Sequence, residues 1–557
     1  MGGKSLKNRK KSIWKLSIFL LLMTIGFLLC FSCASADENG TWGNLSWALN
    51  SSGTLIISGT GQMNDFDSGE AWLACSDDIQ EIIIENGITS IGAYAFEGCY
   101  RLTSIAIPDS ITSIGENAFA YCDLASITIP VNVTNIGPRA FNYCDNLINI
   151  NVNSGNTAYT SVNGVLFNKP KDTLICYPRG KTSTTFTIPN SVTTIGTAAF
   201  GNNSNLKSII IPDSVTIIED SAFSNVENLT SITIPNSVTV IADSVFAYNN
   251  KLTSITIPYS VISIGDLTFS FCTNLTTINV DSENTAYMSI NGVLFNKSKK
   301  KIVAYPAGKK DTTYTIPSSV TDIGGGAFGD CSSLSEIIIP EGVKSIGDSA
   351  FSDCYSLKSI IIPNNVSRIG ISAFNSCHAL TKISIPESVI SIGSYAFANS
   401  GVTNVKVYNP ECVFGDDYIW NGIYSIFMGC PDTLRLFGWA GSTAESFANE
   451  AGINFIPLAV PDFVLPVDLT AIEAEAFSGV QVSVIYIPDT VVSLGSKAFA
   501  NCATLQEIHI PASVTSIATD LFDGLTSNQL MNITIYGAPD SAAESFANSK
   551  GIDFVRE

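Results

Sequence analysis

Histidine is almost missing from this chain: 557 residues contain only His378 and His509. Imidazole is the side chain that most often serves as general base or neutral metal ligand near pH 7. A two-histidine metal motif would need these two brought together from distant segments. A Ser–His–Asp or Cys–His site would rest on one of them, and neither lies in a nucleophile motif. His378 follows a repeated cysteine position, and His509 sits mid-strand in Ile508-His509-Ile510. No Gly-x-x-x-x-Gly-Lys-Ser/Thr phosphate loop occurs. The carboxylate pairs Asp65 with Asp67 and Asp416 with Asp417 complete no calcium loop and read as solvated turns. The expectation is a protein that is not an enzyme, with no cofactor and no metal site.

Charge is scarce as well. Charged residues make up 14% of the chain, about half the usual share, while 45% is hydrophobic. The net charge is −20, and six bases (Lys4, Lys7, Arg9, Lys10, Lys11 and Lys15) with no acid lie in residues 1–36, so removing that stretch leaves −26. Such a surface repels phosphate backbones and anionic lipid, which excludes nucleic acid and the membrane surface as partners. Long apolar runs are confined to one place. Residues 16–30 form an apolar core after the basic stretch, and Ala34-Ser35-Ala36 precedes Asp37, the three parts of a secretory signal. Cleavage is expected after Ala36. The alternatives are an uncleaved anchor or lipidation at Cys33. Residues 551–557 carry no hydrophobic tail or sorting signal.

What fills the chain is repetition. From Phe96 to Phe522 one unit recurs about fourteen times: Leu-x-x-Ile-x-Ile-Pro-x-Ser-Val-x-x-Ile-Gly-x-x-Ala-Phe-x-x-Cys. Pro189, Pro212, Pro235 and Pro258 are 23 apart, as are Pro317, Pro340, Pro363 and Pro386. A fixed period in the twenties marks a solenoid, whose repeats bury their apolar faces only against one another. Leu-x-x-Ile-x-Ile reads as a short strand ended by Pro, with parallel copies forming one long sheet. Ser-Val-x-x-Ile-Gly reads as a second extended piece, and x-x-Ala-Phe as one helical or 3₁₀ turn with Phe inward. Eight cysteines (Cys99, Cys122, Cys144, Cys272, Cys331, Cys354, Cys377, Cys502) share one repeat position, where Asn203, Asn249 and Ser400 also occur. That tolerance describes a small buried slot holding stacked free thiols, as in a reducing or anaerobic habitat, not a disulfide framework. Cys75, Cys176, Cys412 and Cys430 appear off-pattern, and a Cys412–Cys430 bridge is open.

Twice the period jumps from 23 to 59, at matching segments 151–169 and 279–297 that lie 128 residues apart. A block of 128 residues has been duplicated, and Asn163-Gly164 and Asn291-Gly292 predict a projecting β-hairpin in each insert. The expected organisation is a signal peptide at 1–36, an N-terminal β cap at 37–76, and a main solenoid at 77–432 with inserts at about 149–186 and 277–314. A closing unit at 433–458 and a second short solenoid with its own closing unit at 459–557 complete it. The closing units are marked by Ser442-Thr-Ala-Glu-Ser-Phe-Ala-Asn449 and Ser541-Ala-Ala-Glu-Ser-Phe-Ala-Asn548. Between the two buried Ile of each strand one side chain faces outward: Thr128, Thr187, Thr233, Thr256, Thr315, Ser384, Tyr486 and His509, interrupted by Ala106, Ile210, Ile338 and Ile361. This nearly uncharged row is the candidate ligand-binding face; the plainer reading is that Thr and Ile simply suit a strand.

The unit resembles the leucine-rich repeat of the BspA-like surface proteins of anaerobic bacteria, a type also found in trichomonads. The resemblance covers 37–557, including the Asn-Gly-Val-Leu-Phe-Asn-Lys inserts and the closing units. It implies a leucine-rich repeat solenoid of short parallel strands, turns and short helices, curved and right-handed, with its sheet on the concave face. It also implies an exported adhesin that recognises host matrix proteins such as fibronectin and fibrinogen, or other cells. A host surface glycan is a further candidate partner. A structural, self-associating component of an envelope or biofilm is the alternative. No residue-level binding motif comes with the resemblance, and the chain departs from many members in lacking a recognisable wall-anchoring module.

Overall fold

The computed structural model describes residues 38–66, 71–415, 426–458, 463–466 and 469–556. The leader with Cys33 and the cleavage site, Asp67, the Asp416/Asp417 pair and the link at 459–461 lie outside them. Among the described residues no helix is long and apolar enough to cross a membrane. The chain divides into two units, Met1–Gly292 and Val293–Glu557, each a stack of coils with three arms.

The first arm is the Ile-x-Ile strand, with buried and exposed side chains alternating as in Ser126–Ile129. The expected single long sheet is not what forms. In the first unit this arm makes separate short parallel sheets: Thr54–Gly59 with Glu81–Ile84 and Ser104–Ala106, Ser126–Ile129 with Asn149–Val152, Thr185–Thr187 with Ser208–Ile210, and Ser254–Ile257 with Thr277–Val280. The coil carrying Ile232-Thr233-Ile234 contributes no strand there. The longer ladder comes from the second arm. The hairpin Tyr159–Val162 and Val165–Asn168 leads through antiparallel Thr173–Cys176 into parallel Thr194–Ile195, Ile217–Ile218, Val240–Ile241 and Ser263–Ile264. In the second unit, Lys301–Ala304 likewise runs into Asp322–Ile323, Ser345–Ile346, Arg368–Ile369, Ser391–Ile392 and Val413–Phe414.

The third arm, x-x-Ala-Phe-x-x-Cys, is not the helical turn its sequence suggests. Two residues in most copies are left-handed, one before Ala-Phe and one two after Phe, as in Asn117 (φ 50°) and Tyr121 (φ 63°) or Arg139 (φ 56°) and Tyr143 (φ 56°). A non-glycine residue there costs roughly 1–2 kcal/mol. The return is a hydrogen-bond ladder along the stack, made by every second N–H group, while the N–H groups between them close turns within the coil. Tyr94 N donates to Glu116 O at 2.8 Å, Phe96 N to Ala118 O at 2.9 Å and Gly98 N to Ala120 O at 3.0 Å. The same bonds recur from Ser221, Phe223 and Asn225 to the following coil. Close stacking also explains the Gly of Ile-Gly: a Cβ on Gly115 would sit 2.3 Å from Ala93 N.

The interior is a file of rings. Trp72, Phe96, Phe119 and Phe141 stack in sequence at 5.5–6.0 Å between centroids, and Tyr177, Phe200, Phe223, Phe246 and Phe269 form a second file. In the second unit Tyr305 leads Phe328, Phe351, Phe374, Phe397 and Phe427. The insert tyrosines thus take the Phe position. Each fully buried ring stabilises the stack by about 1.5–3 kcal/mol.

The cysteine slot is a hydrogen-bonded one. Cys122 Sγ donates to Phe96 O at 3.3 Å, Cys144 to Phe119 O at 3.0 Å and Cys354 to Phe328 O at 3.2 Å. Asn249 Nδ2 makes the same bond to Phe223 O at 2.9 Å, which is why Asn is interchangeable here. Burial pushes the Cys99 and Cys144 thiols up to about 12. Cys412 and Cys430 are both free thiols, so the bridge left open in the sequence is not formed. Cys430 is in fact in the slot, three after Phe427, and donates to Phe397 O at 3.0 Å.

The ends of the stack are covered by different means. Antiparallel Glu38–Trp42, Leu45–Leu49 and Thr54–Gly59 precede the first coil, with Trp42 and Phe66 packed on Trp72. Toward the C-terminus, Arg435–Gly438, helix Thr443–Ala451 and Asn454–Pro457 are followed later by Thr534–Gly537, helix Ala542–Lys550 and Asp553–Arg556. Ser442 and Ser541 cap the helix starts, and left-handed Gly452 and Gly551 end them.

Candidate functional site

The strand-face row is built by register. Thr128 pairs with Asn151, Thr187 with Ile210, Thr256 with Asn279 and Thr315 with Ile338. These four threonines and Thr233 are exposed. Ile210 is also open to solvent, at 56%. The row is therefore a set of short steps of hydroxyl, amide and aliphatic groups. Asn151 and Asn279 occupy the same outward strand position and were overlooked because they begin the inserts.

At its far end the row departs from expectation. Ser384 is half-buried and pairs with Lys406, another residue missed in the sequence. Tyr486 is half-buried, and His509 is only 6% exposed, so it does not face solvent as expected. Tyr486, His509 and Tyr536 hold successive strand positions, and their rings stack at 4.0 and 4.4 Å. Lys406 Nζ donates to Tyr536 Oη at 3.1 Å and lies 4.3 Å from its ring centroid. Arg556 also reaches Glu336 at 3.4 Å. The last sheet of the second unit thus turns its face toward earlier strands of the same unit, and His509 is held between the Tyr486 and Tyr536 rings. Glu507 lies 3.8 Å from His509 Nε2, and the two hold the Glu507 carboxyl below its usual range, helped by Lys406. The sequence signal for this stack was Tyr536 in Ile535-Tyr536-Gly537, one repeat beyond His509.

His378 stacks on Tyr355 at 5.2 Å. Among the described residues no group of three or more His, Cys, Asp or Glu is arranged to hold a metal ion. The arrangement of the row offers hydrogen bonds and methyl contacts to a macromolecular surface.

The model of the BspA type leucine rich repeat region matches residues 69–169, 176–301, 307–421 and 455–555, and the chain belongs to that family. Among solved structures it is similar to a leucine-rich repeat protein from Eubacterium ventriosum, with 28% identity over 62% of this chain and 96% of that one, at a TM-score of 0.37. The pneumococcal vaccine antigen PcpA is 16% identical over 76% and 99%, at 0.34. A leucine rich cell surface protein from Faecalibacterium prausnitzii is 23% identical over 71% and 99%, at 0.32. No curated protein matches the chain.

Proposed function

We propose that this protein is an exported, cell-surface binding protein that works as an adhesin and catalyses no reaction. The observation that carries this reading is the exposed, uncharged strand-face row of Thr128, Thr187, Thr233 and Thr256 in a chain of net charge −20. An acidic solenoid that keeps one face neutral offers a docking surface relying on hydrogen bonds and methyl contacts. Binding through it is weakly dependent on salt, since ion pairs contribute little. Membership of a family whose similar structures include a protein described as a cell surface protein and a vaccine antigen supports display outside the cell. The partner is a host matrix protein or the surface of another cell.

The test is binding of the purified protein to immobilised fibronectin, fibrinogen and laminin at low and physiological salt. Saturable binding that survives physiological salt is expected, and Thr233→Arg with Thr256→Arg, on adjacent coils, should abolish it. Concentration-dependent self-association with no foreign ligand would instead make the chain a structural component of an envelope or biofilm.

A further inference from the structure

In the first unit the insert leaves a cleft in the turn-arm side of the stack. Regular coils place four residues between the second-arm Ile and the spine ring, as from Ile195 to Phe200. The insert coil has two, from Leu174 to Tyr177, although Leu174 pairs in register with Ile195. Its turn arm is therefore two residues short, and the neighbouring arms at 137–143 and 196–202 stand proud on either side. Between them lies a cleft of about 310 Å³ lined by Arg139, Asn142, Tyr143 and Arg179, and an adjoining hollow of about 250 Å³ shares the first three of these and adds Asn202, Asn225 and Tyr248, both at the small end of ligand pockets.

The side chains on this rim are flat and polar. The position two after each spine ring carries Tyr121, Tyr143, Arg179, Asn202, Asn225, Tyr248 and Phe271 in successive coils. Tyr121 and Tyr143 stack at 4.3 Å, Arg179 lies 5.4 Å from the Tyr143 centroid, and Tyr248 stacks on Phe271 at 4.4 Å. Between the aromatic pairs runs an amide chain: Asn225 Nδ2 donates to Asn202 Oδ1, and Asn202 Nδ2 to Asn142 Oδ1, both at 3.0 Å. Arg139 spans the cleft, donating to Ser221 Oγ at 3.1 Å.

We infer that this cleft binds a neutral saccharide. The inference deepens the adhesin reading by adding a second, distinct binding site. A sugar ring presents an apolar C–H face with hydroxyls around its edge. The exposed Tyr248 ring takes the face, and amides and guanidinium N–H groups, rich in donors and acceptors, take the hydroxyls. The charge state favours a neutral ligand, because each guanidinium already has a carboxylate: Arg139 with Glu116 at 3.7 Å, and Arg179 with Asp145 at 2.9 Å. An acidic peptide segment would find no unmatched cation among the cleft's side chains.

The chain supplies its own control. The same positions 128 residues on hold Leu267 for Arg139, Ser270 for Asn142, Ala307 for Arg179 and Ser376 for Tyr248. The repeat therefore accommodates those residues, and the cleft chemistry is not something the coil requires.

The experiment is a glycan array of neutral, sialylated and uronate oligosaccharides probed with the purified protein, followed by calorimetry with the best-bound oligosaccharide. Neutral oligosaccharides should bind. The variant Arg139→Leu/Arg179→Ala/Tyr248→Ser should lose at least tenfold in affinity while keeping its unfolding midpoint and its binding to matrix proteins. If that variant unfolds early, Asn142→Ser serves in its place and should weaken binding at least threefold. A blank array, binding only to acidic sugars, or equal binding by the folded variants would overturn the inference. Retained matrix-protein binding in those cases would leave the adhesin reading standing.

Discussion

The two copies of the 128-residue block agree inside and disagree at the rim. Asn156 Nδ2 donates to Pro130 O at 2.8 Å and Val133 O at 2.9 Å; its counterpart Asn284 donates to Pro258 O and Val261 O at 2.8 and 3.0 Å. Tyr159 Oη accepts from Ile136 N at 2.9 Å, as Tyr287 Oη does from Ile264 N at 2.7 Å. Tyr177 and Tyr305 each stack 5.4 Å from the next spine ring. On the turn arms, by contrast, Arg139, Arg179 and Tyr248 of the first copy face Leu267, Ala307 and Ser376 of the second, and the Asn202–Asn225 pair becomes Asp330 and Asp353. The difference teaches which residues the coil demands. Buried polar groups must be matched wherever they occur, so they are kept. Rim side chains cost the fold little and are free to carry chemistry.

The strongest way to break this comparison is through the interior, where the copies should respond alike. Tyr177→Ala and Tyr305→Ala each remove a ring that is about 95% buried. Each should cost about 3–5 kcal/mol by chemical denaturation. A cost confined to one copy would show that the inserts are held differently. The rim should respond unequally. The triple exchange of Arg139, Arg179 and Tyr248 is expected to cost at least about 1.4 kcal/mol of saccharide affinity, the equivalent of tenfold, and almost none of the stability.

How much of this was legible follows the same division. The period, the Phe file and the cysteine slot were readable because each is imposed by close stacking and recurs along the coils, and the hairpin at Asn163-Gly164 because Asn-Gly sets its turn. The left-handed turn arms were not. Tyr94 and Ala198 carry no turn signature, and the bonds from their N–H groups to Glu116 O and Asp220 O of the next coil hold them there. The interruption of the first-arm sheet at Thr233 was also hidden, since Ile232-Thr233-Ile234 is as good a strand sequence as its neighbours. His509 was misplaced because the rings of Tyr486 and Tyr536 on the neighbouring strands close over it, and only the register across the sheet brings the three together. The cleft depends on a coil two residues short, and its Arg139–Ser221 contact joins residues 82 apart.

The acidic pair of the second copy gives a smaller, pH-dependent contrast. Burial, with Asp353 adding like charge, raises the Asp330 carboxyl to about 6. A carboxyl raised in the folded state favours its protonated form, so stability is highest at low pH and falls as pH rises from the ordinary aspartate value through about 6. Asp330→Asn removes that loss. After allowance for screening at a half-exposed site, it should stabilise the protein by about 1 kcal/mol at pH 7 and by nothing measurable at pH 4. A gain of equal size at both pH values would mean that charge is not the cause.

The smallest effect belongs to the slot the copies share. Cys144 and Cys272 are equivalent, and each donates to the carbonyl of the preceding spine Phe at 3.0 Å. Asparagine already fills this slot at 249, where Nδ2 donates to Phe223 O and Phe246 O, and Oδ1 accepts from Val226 N. Cys144→Asn and Cys272→Asn therefore keep the bond that each thiol makes to the preceding spine carbonyl. Each should change stability by less than about 1 kcal/mol, and by the same amount in both copies. A loss of several kcal/mol at Cys144 alone would mean that the rim chemistry of the first copy reaches into its interior, and the separation of interior from rim would fail there.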